Sequence, residues 1–384
     1  MGVSTVATAG ARELRNSMID QLKTRGLELE PTIEAAFRMV PREVFLPGVA
    51  LDRVYSGDAI PTKRDAEGNP ISSSSEVGIM IAMARLLDVA PGQRILEIGA
   101  GTGYNAAVLS QLVGDRGAVT TIDIDADVAA EAREHLARAG FGRVGVITAD
   151  GWKGHATNPP YDRIEVTASV SDLSPDWIAQ LADGGKIVLP FVLPAGMQAV
   201  LGLRKKGTDL VSTGVITGGF MRLRGPAGAE PRTRTFDGLS VELGDEVVDT
   251  NDVLGPLLRQ TPRFAVAPPL GWEALILLAL LYGNVTVTRK GHAGLAVGIF
   301  DPGGGLALVE LASSSVAGSR SLVIGYGSDA AESRLRAAIE ELRTIRLKNL
   351  QIVARPAGAS EPEGDVVVRR GSYTFAFRAV RVAT

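Results

Sequence analysis

The sequence predicts an α/β fold, a doubly wound parallel sheet, followed by a separate α+β domain. Between residues 94 and 189, five short apolar segments alternate with helical segments, which is the pattern of a parallel sheet with crossover helices. The first apolar segment runs directly into a glycine-rich turn. The alternation stops near the Gly/Pro break at 225–228, which is typical of a linker. We therefore predict two domains, 1–225 and 226–384.

In the first domain, the apolar segments have the length of buried strands, and the segments between them have helical periodicity. The stretch 41–75 is rich in Pro, Gly, Asp and Ser and is predicted to be a loop region. The predicted helices are 11–24, 31–39, 76–87, 105–113, 126–139 and 176–181, and the predicted strands are 94–98, 118–123, 144–148, 161–167 and 186–189.

The second domain is predicted to mix helices and strands without that regular alternation. No cluster of catalytic residue types stands out in it, and His292, beside Arg289 and Lys290, is interpreted as an exposed loop histidine. The predicted helices are 272–282 and 330–346, and the predicted strands are 285–289, 295–300, 306–311, 321–326, 350–355 and 373–382.

Composition and charge exclude several classes of protein. The chain has 40 basic and 43 acidic residues, whereas a nucleic-acid-binding surface needs a basic excess. It has no cysteine for disulfides or thiolate chemistry, and its three histidines show no metal-ligand spacing. No signal peptide stands out, and the longest apolar run, 274–282, is about half the ~20 residues that cross a bilayer. We expect a cytoplasmic monomer that binds no metal, nucleic acid or membrane.

The turn after the first strand is a candidate cofactor site. Its glycines at 99, 101 and 103 tolerate positive φ and let a ligand approach the backbone. The Gly-x-Gly-x-Gly spacing differs from the Gly-x-Gly-x-x-Gly of dinucleotide-binding proteins. The acidic Glu97 inside the strand also favours a methyltransferase. Taken alone, the turn could also be a bare loop with three glycines.

Two aspartates strengthen this interpretation because each follows a later strand of the same sheet. Asp123 ends the second strand, where a carboxylate can accept from both ribose hydroxyls. Asp150 follows the third strand, where it can accept from an adenine amino group, and Ile124 would then lie against the adenine face. A single strand-end aspartate is more often a helix cap, but the three features in strand order indicate S-adenosylmethionine. The candidate cofactor-binding residues are Glu97, Gly99, Ala100, Gly101, Gly103, Tyr104, Asn105, Asp123, Ile124, Asp150, Gly151 and Thr167.

Several segments resemble the protein-L-isoaspartate O-methyltransferase family. They are Val-Pro-Arg-Glu-Val-Phe-Leu-Pro at 40–47, the stretch 86–109 around the glycine turn, Ala-Asp-Gly-Trp at 149–152 and Gly-Gly-Lys-Ile-Val-Leu-Pro at 184–190. The resemblance covers residues 11–225. It implies a Rossmann-like class I methyltransferase that transfers a methyl group from S-adenosylmethionine to a polypeptide carboxylate and releases S-adenosylhomocysteine.

The family also has a Ser or Thr in the loop before the first domain helix, in an Ile-Ser-(Gln or Ala)-Pro pattern. Here the corresponding stretch, 71–78, reads Ile-Ser-Ser-Ser-Ser-Glu-Val-Gly, so the Gln-Pro is missing. Counting back without gaps from Leu86 and Leu87 places Ser75 on the family's serine, with Ser74 as the alternative. These two serines are the candidate catalytic residues, although a serine run could also be a flexible loop or a helix cap.

The serine run and the extra C-terminal domain resemble a branch of the family that acts in ribosomal-peptide (graspetide and lanthipeptide) biosynthesis. Repair enzymes of the family generally lack such a domain. The resemblance implies methylation of an aspartate in a macrocyclised precursor peptide, followed by cyclisation of the ester to aspartimide. This is our leading hypothesis, with the second domain binding the modified precursor peptide. The alternatives are a general isoaspartate repair methyltransferase, a non-catalytic cofactor-binding module that recruits a peptide, and a small-molecule O-methyltransferase.

Overall fold

The alternating segments in the first half of the chain form a sheet in the computed structural model of the protein. The structure describes residues 9–226, 228, 233–244, 247, 249, 252–289, 295–311 and 320–381. They belong to two compact units: unit 1 is drawn from Met1–Pro190, Leu201–Thr213 and Phe220–Gly228, and unit 2 from Phe191–Val200, Gly214–Gly219 and Ala229–Thr384. Unit 2 thus takes in 191–200 and 214–219, which we had assigned to the first domain. The separate functions of the two predicted domains stay predictions.

The elements of unit 1 follow the predicted order closely. Its helices are α1 (Ala9–Thr24), α2 (Pro31–Met39), α3 (Leu51–Val54), α4 (Val77–Leu87), α5 (Tyr104–Val113), α6 (Ala126–Arg138) and α7 (Pro175–Gln180). Its strands are β1 (Ile60–Arg64), β2 (Pro70–Ser74), β3 (Arg94–Ile98), β4 (Ala118–Asp123), β5 (Gly145–Thr148), β6 (Tyr161–Val166), β7 (Leu181–Val192), β8 (Gln198–Lys206) and β9 (Asp209–Thr217), and the last three continue into unit 2.

Strands β3 to β7 form the parallel part of the sheet. Hydrogen-bonded neighbours follow the order β9-β8-β7-β6-β3-β4-β5, and the pairs among β3 to β7 are parallel. Because β4 lies on one side of β3 and β6 on the other, the strand order reverses at β3. Sheets of this kind bind ligands at the carboxyl ends of the strands beside such a switch point. The predicted doubly wound α/β fold is confirmed.

Two hairpins were not predicted. β8 and β9 are joined by Gly207 and Thr208 alone, a connection short enough to require antiparallel strands, so the whole sheet is mixed. β1 and β2 pair antiparallel as a separate two-stranded sheet inside the stretch 41–75. We predicted a loop there from its Pro, Gly, Asp and Ser content, and β1, which is mostly exposed, shows no apolar alternation that would have indicated a strand.

Unit 2 has the predicted α+β character. Its helices are α8 (Leu254–Leu258), α9 (Trp272–Leu281) and α10 (Asp329–Glu341). Its strands are β10 (Thr233–Phe236), β11 (Leu239–Leu243), β12 (Arg263–Ala267), β13 (Val285–Arg289), β14 (Leu295–Asp301), β15 (Gly305–Glu310), β16 (Ser321–Gly327), β17 (Gln351–Pro356), β18 (Val366–Arg369) and β19 (Tyr373–Arg378). Seven strands form an antiparallel sheet in the order β10-β11-β13-β14-β15-β16-β12, and β17 and β18 flank β19.

The sequence did not predict β10, β11, β12, β18 or α8, and it extended α10 too far. α10 ends at Glu341 because a short 3-10 helix, Leu342–Thr344, follows it and Ile345 is extended and buried. His292 and the end of the predicted strand 373–382 lie outside the described residues. Within the described part of the chain, no helix is long and apolar enough to span a membrane.

Candidate active site

The turn between β3 and α5 is held by hydrogen bonds that its amides donate to the neighbouring strand, β4. Gly99 N and Ala100 N both donate to Ile122 O on β4, at 2.8 and 3.0 Å. Gly99 has a φ of +100°, and a Cβ there would overlap the hydroxyl oxygen of Thr167. That hydroxyl donates to Gly99 O at 2.8 Å. Only glycine fits this position, and Thr167 closes the turn from the β6 side.

Asp123, at the end of β4, lies directly beside this turn. One of its carboxylate oxygens accepts from Gly101 N at 3.2 Å, and the other accepts from Asp125 N at 3.1 Å. A carboxylate oxygen has two lone pairs, so each oxygen can accept a further hydrogen bond. Two such acceptors at the end of a strand, next to a glycine turn, fit the two hydroxyls of a ribose.

Ile124 and Asp150 both lie next to the backbone of Gly225. Ile124 is apolar yet 37% exposed, and Asp150 Oδ1 accepts from Trp152 N at 3.0 Å. A Cβ on Gly225 would lie 2.9 Å from Ile124 Cδ1 and 3.4 Å from Asp150 Oδ1, so both side chains face the same point of backbone. An exposed apolar side chain next to a carboxylate fits an adenine ring and its amino group.

The loop that carries Asp150 is held in place by α7 and by Ser174, the N-cap of that helix. Trp177 Nε1 donates to Gly151 O at 2.8 Å, and Ser174 Oγ donates to Trp152 O at 2.6 Å. Gly151 itself is buried. The sequence analysis identified Gly151 but missed Trp177 and Ser174, because their partners lie more than twenty residues away in the chain.

Glu97 and Glu165 lie side by side on β3 and β6. Asn105 Nδ2, on α5, donates to one carboxylate oxygen of each, both at 2.7 Å. Glu97 is 0% exposed and Glu165 is 1% exposed. Burial raises the pKa of Glu97 to about 8 and the pKa of Glu165 to about 7. Near neutral pH the pair therefore keeps at least one proton, because two ionised carboxylates this close in a buried site repel each other.

The contacts of Glu97 and Asn105 limit how these two predicted cofactor-binding residues can reach a ligand. The side chain of Glu97 is enclosed in the protein and contacts Asn105, so a direct contact with the cofactor stays a prediction. Asn105 is only partly buried and can still face a ligand. Sequence analysis missed Glu165, since a glutamate within a strand carries no sign that a second carboxyl lies across from it.

The ring of Tyr104 points into the core of unit 1. It is 1% exposed and packs against Phe37 and Phe45, with ring centroids 6.3 and 5.6 Å away. Burial raises the pKa of Tyr104 to about 12. Of this predicted cofactor residue, only the backbone remains available to a ligand, because the ring anchors α5 beneath the N-terminal segments.

The serine run lies against the glycine turn. A Cβ on Gly101 would lie 3.2 Å from Ser73 O, so β2 passes directly beside the turn. Ser74 is 3% exposed, and its hydroxyl has no hydrogen-bond partner among the described residues. Ser75 is half-buried, and its carbonyl accepts from Arg42 Nη2 at 3.0 Å. The structure thus brings the strand that carries Ser74 and leads into Ser75 to the predicted cofactor turn, with Ser73 O beside Gly101.

The residue after the run explains how the chain does without the family's Gln-Pro. Glu76 is the N-cap of α4, and its two carboxylate oxygens accept from Gly78 N and Ile79 N, both at 3.0 Å. Such a cap satisfies amides that the first helical turn leaves free. Glu76 therefore caps the start of α4 without the Gln-Pro of the family pattern.

Two basic side chains surround the carboxylates that follow β4. Lys63 Nζ, on β1, contacts both oxygens of Asp125 at 2.8 Å, and this pairing lowers the pKa of Asp125. Arg224 lies 4.0 Å from Asp123 Oδ1 and 3.7 Å from Asp125 Oδ2. Neither cation could be predicted from the sequence, because both reach the site from segments far from Asp125 in the chain.

The two described histidines of unit 1 support loops. His135 Nδ1 lies 3.0 Å from Thr102 O in the glycine turn, and His155 N donates to the side chain of Gln180 at 2.7 Å. In the part of the chain that the structure describes, no group of three or more His, Cys, Asp or Glu side chains is placed to hold a metal ion.

Comparison with known proteins extends the sequence resemblance. The family model described as protein-L-isoaspartate(D-aspartate) O-methyltransferase matches residues 12–221. A protein-L-isoaspartate O-methyltransferase of Methanopyrus kandleri is 39% identical over 180 residues, which make up 47% of this chain and 77% of that protein. Protein-L-isoaspartate O-methyltransferase 1 of Rhodopseudomonas palustris is 37% identical over 207 residues, 54% of this chain and 80% of that protein.

A solved structure that bears the name protein-L-isoaspartate O-methyltransferase has a similar fold. Its TM-score is 0.54 at 24% identity, and the match covers 88% of this chain and 96% of that one. This coverage exceeds the share of the chain that lies in unit 1, so the likeness of fold continues into unit 2. We expected the C-terminal domain to set this chain apart from enzymes with that name, and at the level of fold it does not.

Proposed function

We propose a function for this chain on one premise: the chain belongs to the protein-L-isoaspartate(D-aspartate) O-methyltransferase family. It is an S-adenosylmethionine-dependent O-methyltransferase that acts on a protein or peptide carboxylate. We propose that the acceptor is an L-isoaspartyl residue. In such a residue the backbone runs through the side-chain carbonyl, so the α-carboxylate is free for methylation.

The comparisons support this acceptor, our earlier alternative, better than the macrocyclised precursor peptide of our leading hypothesis. The names of the family model and of both relatives specify isoaspartate. The extra C-terminal domain no longer argues for the peptide-biosynthesis branch, because a similar fold occurs in a structure with the isoaspartate name. Methylation of a constrained aspartate, followed by aspartimide formation, is therefore the contrary outcome in the experiment below.

The observation that carries the proposal is the contact between the serine run and the glycine turn. Ser73 O would lie 3.2 Å from a Cβ on Gly101, and the next residue, Ser74, has a buried hydroxyl without a partner among the described residues. Both segments lie inside the stretch that matches the family model. A hydroxyl donor beside a nucleoside site can orient a carboxylate for methylation.

The residues around the turn fit the cofactor part by part. Bound S-adenosylmethionine supplies a methyl group on a positively charged sulfur, which is a good leaving group. We propose that the backbone of 99–103 cradles the cofactor and that Asp123 accepts from its ribose hydroxyls. Ile124 would lie against the adenine ring, and Asp150 would accept from its amino group.

The acceptor needs orientation more than activation. A carboxylic acid of this kind has a pKa near ~4, so the acceptor is ionised at neutral pH and requires no general base. The hydroxyl of Ser75, or that of Ser74 beside it, can donate to one carboxylate oxygen and leave the other free to attack. Orientation of two reacting groups can lower a barrier by about 7–11 kcal/mol. In the ester product, the next backbone nitrogen can attack the carbonyl, expel methanol and close a succinimide.

The test compares peptides that differ at one residue. A linear peptide with an isoaspartyl residue, the same peptide with an ordinary aspartyl residue, and a macrocyclic peptide with a constrained aspartate are incubated with the cofactor. Mass spectrometry measures the gain of one methyl group. We expect kcat/KM for the isoaspartyl peptide to exceed that for the linear aspartyl peptide by about 100-fold or more. Methylation of the macrocycle without methylation of the isoaspartyl peptide would overturn the proposal in favour of the precursor-peptide hypothesis.

The remaining expectations stand as proposals. We propose that unit 2 contributes to peptide binding, as predicted for the C-terminal domain. A cytoplasmic location and a monomeric state also stay predictions.

A further inference from the structure

We propose that Arg42 is a positioning residue that fixes the serine run relative to the cofactor turn. This inference rests on the proposed function, because it assigns the serine run to the acceptor and the glycine turn to the cofactor. It concerns a side chain that lies between these two parts and touches neither reacting group.

The first contact of Arg42 is with the serine run. Arg42 Nη2 donates to Ser75 O and to Asp58 O, both at 3.0 Å. Asp58 lies just before β1 and Ser75 just after β2, so a single nitrogen joins the two ends of this hairpin. The carbonyl of Ser75 is one residue from the buried hydroxyl of Ser74. If this hydrogen bond shifted, the Ser74 hydroxyl, which is proposed to donate to the acceptor carboxylate, would therefore move as well.

The second contact is with the helix that follows the glycine turn. The guanidinium carbon of Arg42 lies 5.6 Å from the centroid of the Tyr104 ring, within the range of a cation–π interaction. Tyr104 is the first residue of α5 and directly follows Gly103. Phe37 and Phe45 hold the ring from other sides. One guanidinium thus contacts both the acceptor segment and the cofactor segment.

The burial of Arg42 makes its charge costly, which favours a role beyond packing. The side chain is 0% exposed, and Nε and Nη1 have no hydrogen-bond partner among the described residues. Donors buried in this way cost free energy, and well-packed apolar residues often replace buried charges without loss of stability. A planar guanidinium can donate along its edge and stack with its face at once, which a lysine ammonium cannot do.

Arg53, on α3, provides a matched control that contacts the segment leading into the same hairpin. It donates to Asp58 Oδ2 at 2.8 Å and to Ala59 O at 3.1 Å, and its side chain is 48% exposed. Its recorded contacts are with the start of the hairpin, and none of them is with Ser75 or Tyr104. Substitution of Arg53 removes an arginine from this region without cutting the connection between the two segments.

The experiment measures Arg42→Lys, Arg53→Lys and Tyr104→Leu in the full chain. Titration with S-adenosylhomocysteine gives the fraction of folded, binding-competent protein, and kcat and KM are then expressed per competent site. We expect Arg42→Lys to lower kcat by about 10- to 100-fold, with the dissociation constant for S-adenosylhomocysteine changed by less than about threefold. Arg53→Lys should leave kcat within about twofold of the unchanged chain.

A double mutant tests whether the two contacts act together. If Arg42 works through the Tyr104 ring, Arg42→Lys with Tyr104→Leu should lower kcat by no more than the worse single variant, because contacting residues are not additive. Hydrogen exchange gives a readout without turnover: Arg42→Lys should speed exchange of amides in both 72–76 and 99–104, and Arg53→Lys in neither. An Arg42→Lys chain with unchanged kcat per competent site and unchanged exchange in these segments would overturn the role.

The choice of peptide keeps this test separate from that of the proposed function. Kinetics are measured with whichever of the three peptides the unchanged chain methylates fastest. Preference for another peptide would then count against the isoaspartyl acceptor alone. The effect of Arg42→Lys would still decide the role of Arg42.

Discussion

The buried pair of Glu97 and Glu165 should make unit 1 less stable as the pH rises, which is unusual for carboxyl groups. The pKa of Glu165 is raised by burial from 4.5 to about 7, so between these values the folded chain holds a proton that the unfolded chain releases. Stability is therefore full below about pH 4.5 for this group and falls as the pH rises towards 7. For each pH unit in which the folded chain holds this extra proton, the free energy of unfolding falls by about 1.4 kcal/mol. Between pH 4.5 and 7, Glu165 therefore lowers the free energy of unfolding by roughly 3 kcal/mol.

Glu165→Gln should remove the part of the pH dependence that Glu165 contributes and leave the part that comes from burial of Glu97. The amide oxygen of glutamine can still accept from Asn105, but the residue has no proton to lose. The pKa of Glu97 is raised first by burial and then by the nearby charges of Glu165 and Asp123, so it should fall in this variant. Urea denaturation at pH 5, 6, 7 and 8, followed by the fluorescence of Trp152 and Trp177, measures the change.

The control for this experiment is Glu131→Gln, which removes an exposed carboxyl on α6. This variant should keep the pH profile of the unchanged chain. Stability of the unchanged chain that stays level between pH 5 and 7, or a Glu165→Gln profile that falls as steeply, would refute the reasoning.

Three further substitutions test single contacts in the site. Gly99→Ala, whose new Cβ would overlap Thr167, should weaken binding of S-adenosylhomocysteine in calorimetry by about 10-fold or more. Gly140→Ala, also at positive φ but in open space, should leave binding unchanged, and equal effects would refute the assignment. Ser74→Ala should lower kcat by about 10-fold or more with unchanged cofactor affinity, and an unaltered kcat would exclude it as the donor. Trp177→Phe, which loses the bond to the loop of Asp150, should raise KM for S-adenosylmethionine a few-fold, and an unchanged KM would count against that role.

The sequence predicted the sheet well because its strands are buried on both faces. β3 and β4 read as short apolar segments followed by a glycine turn and an aspartate, and both strand ends were placed where the structure has them. The hairpin of β1 and β2 was missed for the opposite reason. β1 is mostly exposed, and β2 buries serines rather than apolar side chains, so neither strand carries an apolar pattern.

The candidate site was predictable only where local sequence sets the geometry. Gly99 and Asp123 stand in a fixed order along the chain, and their roles could be inferred from that order. Arg42 and Glu165 act through residues 33 and 60 positions away, which sequence spacing does not reveal. Tyr104 was assigned to the cofactor because it follows the glycines, whereas helical geometry turns its ring into the core.

The most direct test of the account is whether Asp123 binds the ribose of the cofactor. Each hydrogen bond to a charged group is worth about 1.5–3 kcal/mol, and Asp123→Asn leaves one acceptor oxygen where two are needed. Isothermal titration with S-adenosylhomocysteine should therefore show binding about 10- to 100-fold weaker than in the unchanged chain. Asp127→Asn, four residues further on and 85% exposed, should bind as the unchanged chain does. Binding by Asp123→Asn within twofold of the unchanged chain would contradict the placement of the cofactor at this turn.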